Sequence, residues 1–555
     1  MKKIICICMI LATILSAAGC ETKSPSVTTD TGEASGTAAE ETETDATREA
    51  AAEPVETDEF GRPVSGWDKS YLSYVDRRID EILNTESDYS ATGTVYYVSN
   101  SGNDGADGRS PETAWATLNA INGNYNNFQP GDTILFERGG IWRGHVSCAD
   151  GVTVSAYGEG EKPRIYGSLD NGADPGKWEL WYEQDEVKIW KYYRLVNDCG
   201  NIVLNDGEAC AYRVYSYWTG QKVIFCGGVN RDFDMVSALE YDLQFYNDYP
   251  DNIAEYTIPF SSIDADMSGA LYLRCDKGNP GDIFDSIEFQ EMDEVRGYGS
   301  IVQPDGSNIV IDNLCIMYSN TMGVSAGSSS DTTIQNCEIA YVGGTSLTIG
   351  HDDGRRYVPV AGEGIRLDGN GNKSINNYVH DCFDGGIILE TSSWYSGFKN
   401  VQISGNVVER CMTGILIGVH PEHVDTFRLG NTVISDNDIL YSGYGWSCDE
   451  HYSFTWESAD YIGNAISFWN TNFYHDKLEL TNNRLYAARV SLVQFGITDP
   501  AVFSGNMYAQ GMGGSVLALH RKGNLTYHKA ESDENAVSLA KELLKDDGAY
   551  SVWTE

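Results

Sequence analysis

The chain has 555 residues, 41% of them hydrophobic, and a formal net charge of −43. Charge of that sign argues against nucleic acid as a partner, because such binding rests on neutralising phosphates with Lys and Arg. Its 13 cysteines include no CxxC pair, which removes support for zinc-ribbon and thioredoxin-like readings. At the N-terminus, Lys2 and Lys3 precede an apolar run from Ile4 to Leu15. The run is shorter than the roughly 20 residues of a spanning helix, and small residues follow it, so residues 1–19 read as a signal peptide.

The ending Ser16-Ala17-Ala18-Gly19-Cys20 resembles the lipobox of bacterial lipoproteins, with Ala17 where that family usually carries Leu. The resemblance implies cleavage before Cys20, a lipid on its sulfur, and an outward-facing anchor on the bacterial cell membrane. Residues 20–65 then read as a tether. From Glu21 to Glu59, 12 acidic side chains stand against Lys23 and Arg48, with almost no large apolar residue. Such a segment cannot bury enough surface to offset its ordering entropy. A helical neck is expected within residues 66–92, over Tyr71 to Asn84.

Residues 93–530 are dominated by an internal repeat. The segments IDNLCI, IQNCEI, INNYVH, ISGNVV, ISDNDI, LTNNRL and FSGNMY place Asn313, Asn336, Asn377, Asn406, Asn437, Asn483 and Asn506 after an apolar residue. A second short strand follows in GIRLD, GIILE, GILIG, AISFW and SVLAL. Two steps of 23 residues (313 to 336, 483 to 506) are too short for a propeller blade of about 40 residues. They fit a right-handed parallel β-helix, in which each strand pairs with its counterpart one turn later and Asn side chains stack at a corner. Cysteines that recur in the repeat (Cys315 and Cys337; Cys382 and Cys411) read as small buried residues between coils.

The stretch YYVSNSGNDGADGRSPETAWATLNAIN from Tyr96, with PGDTILFERGGIWRGHV and VTVSAYGEGEKPRIYGS after it, resembles the opening of β-helix carbohydrate-active proteins of the pectate-lyase-like superfamily. The resemblance runs to about Leu519. It implies a helix plugging the N-terminal end of the coil, here capped by Ser110, with Pro111 in its first turn and Trp115, Leu118 and Ile121 on its apolar face. Residues 176–290 lose the coil pattern and read as a β-rich excursion beside the early coils. A helix from Glu534 to Lys545, within residues 531–555, is expected to cover the far end.

Two long insertions, Thr345 to Glu363 and Tyr444 to Gly463, leave their coils before the same strand and so overhang one face. On that strand alternation points Ile365 and Leu367 inward and Arg366 and Asp368 outward, and one turn of 22 residues later Glu390 points out beside Asp368. Neighbouring parallel strands lie about 4.8 Å apart, near the carboxyl separation of roughly 5 Å in retaining glycosidases. Asp368 and Glu390 are therefore expected to be nucleophile and general acid/base, with Glu363 and Asp384 as rival acids. The one-coil offset also resembles the acidic pair of β-helical xylosidases. Arg355, Arg356, Arg366 and His420 are candidates to hold hydroxyls or a uronate. Trp394, Tyr395, Trp446 and Trp469 are candidate sugar-stacking platforms.

The expected protein is an extracellular, monomeric enzyme that cleaves glycosidic bonds in an oligosaccharide or polysaccharide and needs no cofactor. Two alternatives stand beside it. A polysaccharide lyase would take its base from Arg366 or Lys373, with Ca2+ on Asp352, Asp353, Asp381 or Asp384. A surface glycan-binding protein would use the same groove without chemistry.

Overall fold

Three columns of residues along the chain determine how it coils. The computed structural model describes residues 66–87, 91–196, 198–214, 216–218, 222–226, 229–232, 234–248, 269–291, 299–346, 349–350, 356–357, 360–390, 397–419, 427–448, 463–469, 474–495, 501–511, 514–521, 524–529 and 534–552. Among them, three ten-stranded sheets run along a right-handed parallel β-helix. One coil is typical. Lys373–Ile375 lies in the first sheet, Tyr378–Cys382 in the second and Gly385–Glu390 in the third. Each pairs in parallel with the equivalent strand of the next coil, Lys373 with Gln402, Tyr378 with Val407 and Ile387 with Ile415.

The first column is the core. Ile365, Ile387, Ile415, Ile466, Val493 and Leu517 succeed one another in register and are buried to 1% exposure or less. The second column is the asparagine ladder at the corner between the first two sheets. Asn377 donates to Asn406 Oδ1, Asn406 to Asn437, Asn437 to Asn483 and Asn483 to Asn506, over 2.8–3.2 Å. Asn506 ends the ladder on Asp546.

Asn313 and Asn336 do not stand in that ladder, contrary to the sequence alignment of the repeats. They belong to a third column, one residue earlier, together with Asn376, Gly405, Asp436, Asn482 and Gly505, all at φ between 52° and 67°. Only Gly, Asn and Asp enter this left-handed region readily. The corner therefore prefers Asn at two successive positions for two different reasons. In the early coils Leu314 and Cys337 occupy the ladder position, and the Cys337 amide donates to Asn377 Oδ1.

The ends are covered. Near the N-terminus the expected single helix is split into a 3-10 turn, Pro111–Thr113, and a helix, Leu118–Gly123. Asp104 causes the break by accepting the Ala116 and Thr117 amides and the Thr117 hydroxyl, while the Trp115 amide bonds to Tyr97 O. Trp115, Leu118 and Ile121 still close the core. At the other end the helix Glu534–Leu544 buries Ala540 and Leu544 in the core, and a last strand, Ala549–Val552, adds to the second sheet. From Ser70 onward the neck helix Gly66–Leu83 lies along the outside of the ladder corner: Tyr71 donates to Asp438 and Arg78 to Asn376 Oδ1.

The excursion forms a seven-stranded, mostly antiparallel sheet between Trp178–Gln184 and Ile287–Phe289. It joins the early coils in one hydrophobic cluster that includes Val203, Tyr318, Ala340 and Tyr341. Gly200 lies so close that a Cβ there would sit 2.2 Å from Gly343 O. Cys315, Cys337, Cys382 and Cys411 are free and buried. Among the described residues no helix is long and apolar enough to cross a membrane.

Candidate active site

The outer face of the third sheet gathers four carboxylates around one guanidinium. The strand Glu363–Arg366 pairs with Gly385–Glu390, with Ile365 opposite Ile387 and Arg366 opposite Ile388. Continuing that register sets Asp368 opposite Glu390, and the Glu390 amide donates to Asp368 Oδ1 at 2.8 Å. Ile365, Leu367, Ile387 and Leu389 are inside the core, so the intervening side chains are left on the outer face.

Arg366 holds the group together. Its Nε donates to Asp368 Oδ2 at 2.7 Å, its Nη1 to Glu363 Oε1 at 3.0 Å, and its Nη2 lies 3.4 Å from Glu390 Oε2. Asp384 reaches the cluster from the turn before Glu390's strand, where its amide donates to Gly362 O and its carbonyl accepts from the Thr413 amide. Glu363 Oε2 and Asp384 Oδ1 are buried and have no hydrogen-bond partner among the described residues. The side chain of Glu390 is 13% exposed, against 2% for Asp368 and 6% for Glu363.

Burial raises the pKa of Glu363, Asp384 and Glu390, since an ionised carboxylate loses its hydration there. Arg366 acts against the rise in all three. Their acidic neighbours add to it, most of all at Asp384, where Glu363 and Glu390 both push upward. One positive charge among four acids cannot neutralise the set, which favours the protonated forms of Glu363, Asp384 and Glu390. The site thus holds one doubly hydrogen-bonded carboxylate, Asp368, beside groups able to carry a proton.

All four predicted acids, Asp368, Glu390, Glu363 and Asp384, come together, with Arg366 at their centre. Trp446 does not present a ring face: it is 7% exposed, packs against Phe383 at 5.3 Å and donates through Nε1 to Asp381 O. Arg355, Trp394, Tyr395 and His420 lie outside the described residues, as do Asp352 and Asp353. Arg356 and Trp469 are placed in strands, but their side chains are not described.

Lys373 lies in the first sheet, away from the third-sheet strand that carries Arg366. Asp381 is occupied by Arg410, at 3.0 Å from Nη2, and by His380 Nδ1 at 2.8 Å. His380 itself belongs to the outer face of the second sheet, stacked on Tyr378. Burial alone would lower its pKa, but hydrogen bonds to Asp381 and Glu338 raise it to about 9. This network fixes the turn leading to Asp384 and left no mark in the repeat pattern. Among the described residues no group of three His, Cys, Asp or Glu side chains is arranged to hold a metal ion.

Fold and site define a right-handed parallel β-helix with an acid-lined outer sheet. The family described as "Protein of unknown function (DUF1565)" matches residues 297–495, the coils that carry this cluster. The chain is also similar to a lacto-N-biosidase of Bifidobacterium longum subsp. longum, 33% identical over 103 residues. That stretch is 17% of this chain and only 6% of the length of that relative. Among solved structures it is similar to XylC in complex with xylose, at 12% identity and a TM-score of 0.44, over 77% of this chain and 68% of that one. A lacto-N-biosidase from Eubacterium ramulus gives 12% and 0.32, over 88% and 71%. Pectate lyase Pel9A gives 10% and 0.37, over 76% and 70%. Likenesses this slight carry no argument of their own; the strand registers establish the fold.

Proposed function

We propose that the chain is a carbohydrate-active enzyme that hydrolyses glycosidic bonds with retention, using Asp368 as nucleophile and Glu390 as general acid/base. The observation that carries this reading is the juxtaposition of the two acids on adjacent coils, tied by Arg366 and by the Glu390 amide. Asp368 is oriented by two donors, as a nucleophile must be to meet an anomeric carbon in line. Glu390 is the more exposed of the pair, and its raised pKa suits it to protonate a leaving oxygen and then to deprotonate water. The short match to a lacto-N-biosidase supports a saccharide substrate.

Incubation with neutral and uronate-containing glycans tests the reading. Reducing ends should appear without the ultraviolet absorbance of unsaturated uronates. Asp368→Asn and Glu390→Gln should each lower the rate by about 10²–10⁴-fold. Absorbance rising with reducing ends would overturn hydrolysis in favour of β-elimination. Glycan binding that survives both substitutions, with no cleavage by the unsubstituted chain, would make the protein a binder.

The proposal extends to location. Cys20 is lipidated, and the acidic segment after it holds the enzyme off the membrane surface. Labelled palmitate should enter the protein in cells and fail to enter the Cys20→Ala variant.

A further inference from the structure

Two oxygens in the acid cluster stand out because nothing satisfies them. Glu363 Oε2 and Asp384 Oδ1 are buried without a hydrogen-bond partner among the described residues. A buried oxygen left unpaired keeps its full desolvation cost, so two in one cluster point to a ligand that supplies hydrogen bonds. Glu363 is 5% exposed and held by Arg366 through its other oxygen, which fixes the direction of the unpaired one. The backbone of Asp384 is pinned on both sides, by Gly362 O and the Thr413 amide.

We propose that Glu363 and Asp384 form a clamp for neighbouring hydroxyls of the sugar, and that this clamp makes the site select neutral sugars over uronates. The inference rests on the hydrolase reading for which bond is cut, not for which sugar is held. A hydroxyl both donates and accepts, so a diol can serve one ionised and one protonated carboxyl at once. A uronate carboxylate only accepts, and it would enter among four acids. Arg366, the obvious partner for it, already points its Nε and both Nη atoms at Asp368, Glu363 and Glu390. With three of its five N–H donors directed at those acids and its one charge shared among them, little is left to offset the cost of a fifth carboxylate.

Binding is measured by titration calorimetry on the full chain carrying Glu390→Gln, so that cleavage does not intervene. The ligands are matched series: galacto- against galacturono-oligosaccharides, and manno- against mannurono-oligosaccharides. The neutral member of at least one pair should bind about tenfold or more tightly near pH 8, with the gap narrowing near pH 5 as the cluster takes up protons. Adding Glu363→Gln or Asp384→Asn should weaken neutral binding by about tenfold, with circular dichroism unchanged. Glu363→Asp, which keeps the charge, should retain part of the affinity.

The clamp is overturned if uronates bind as well as their neutral partners, if neither substitution weakens neutral binding, or if no member of any series binds. A chain that binds neutral sugars in this pattern yet releases no reducing ends without the Glu390 substitution keeps the clamp and loses the hydrolase reading.

Discussion

Arg366 offers its guanidinium to three carboxylates within 3.4 Å, and the side chain is only 11% exposed. Replacing it by Met leaves four acids without their central charge, and removing one partner from such a buried set costs about 3–5 kcal/mol. Urea unfolding of Arg366→Met near neutral pH should show that loss. Part of it should be recovered on acidification, as the acids protonate. The raised carboxyls also give a sign that can be checked. A group whose folded pKa lies above its unfolded value stabilises below the unfolded value, and that stabilisation is lost as pH rises through the folded one. For Asp384 and Glu363 the loss begins above the ordinary values of 3.8 and 4.5. Asp384→Asn and Glu363→Gln should therefore melt at least about 2 °C higher than the unsubstituted chain at neutral pH. The gain should vanish at pH values below the ordinary carboxylate range of about 4. The residues expected to hold the sugar are thus also ones whose retention costs the fold stability at neutral pH.

At the scale of the element, the ladder is where sequence and structure can be compared most closely. Asn437 donates to Ile403 O and Asn483 Oδ1 and accepts from the amide and side chain of Asn406. Asn437→Ala orphans all of these at once, and a loss of about 2–4 kcal/mol is expected in denaturant unfolding. The ladder residues from Asn377 to Asn506 were legible because a buried side chain with both donor and acceptor repeats at a fixed place in each coil. Asn313 and Asn336 were misplaced by one position because the adjoining left-handed corner also favours Asn, for backbone rather than hydrogen-bonding reasons. The acid pair was legible for a related reason: strand alternation and a 22-residue turn are enough to set Asp368 beside Glu390. Arg366 as the shared partner was not, since its three contacts depend on side-chain angles that no period encodes. Trp446 shows the same limit. An aromatic residue in an insertion reads alike whether it faces a sugar or fills the space over Phe383.

The molecule as a whole has two ends where the repeat stops, and both are finished by segments outside the repeat. Asp546 is 2% exposed and accepts from the amides of Gly505 and Asn506, from the Asn506 side chain and from Tyr508. A chain ending at residue 530 loses that acceptor, the core residues Ala540 and Leu544, and the strand Ala549–Val552. The last coil would then present unpaired backbone and apolar surface together. Light scattering should find the truncated chain self-associating where the full chain does not.

The ladder has a further consequence for how such a molecule can change. Its asparagines are 29, 31, 46 and 23 residues apart along the chain, yet each still bonds to the next. Every corner resets the reading frame, so chain added between coils is not passed on to the coils that follow. The loops behave as interchangeable parts on a fixed lathe. New ones can alter what reaches the acids without moving Asp368 relative to Glu390. The loss of a single residue inside the strand Gly385–Glu390, by contrast, would turn Glu390 from the outer face toward the core.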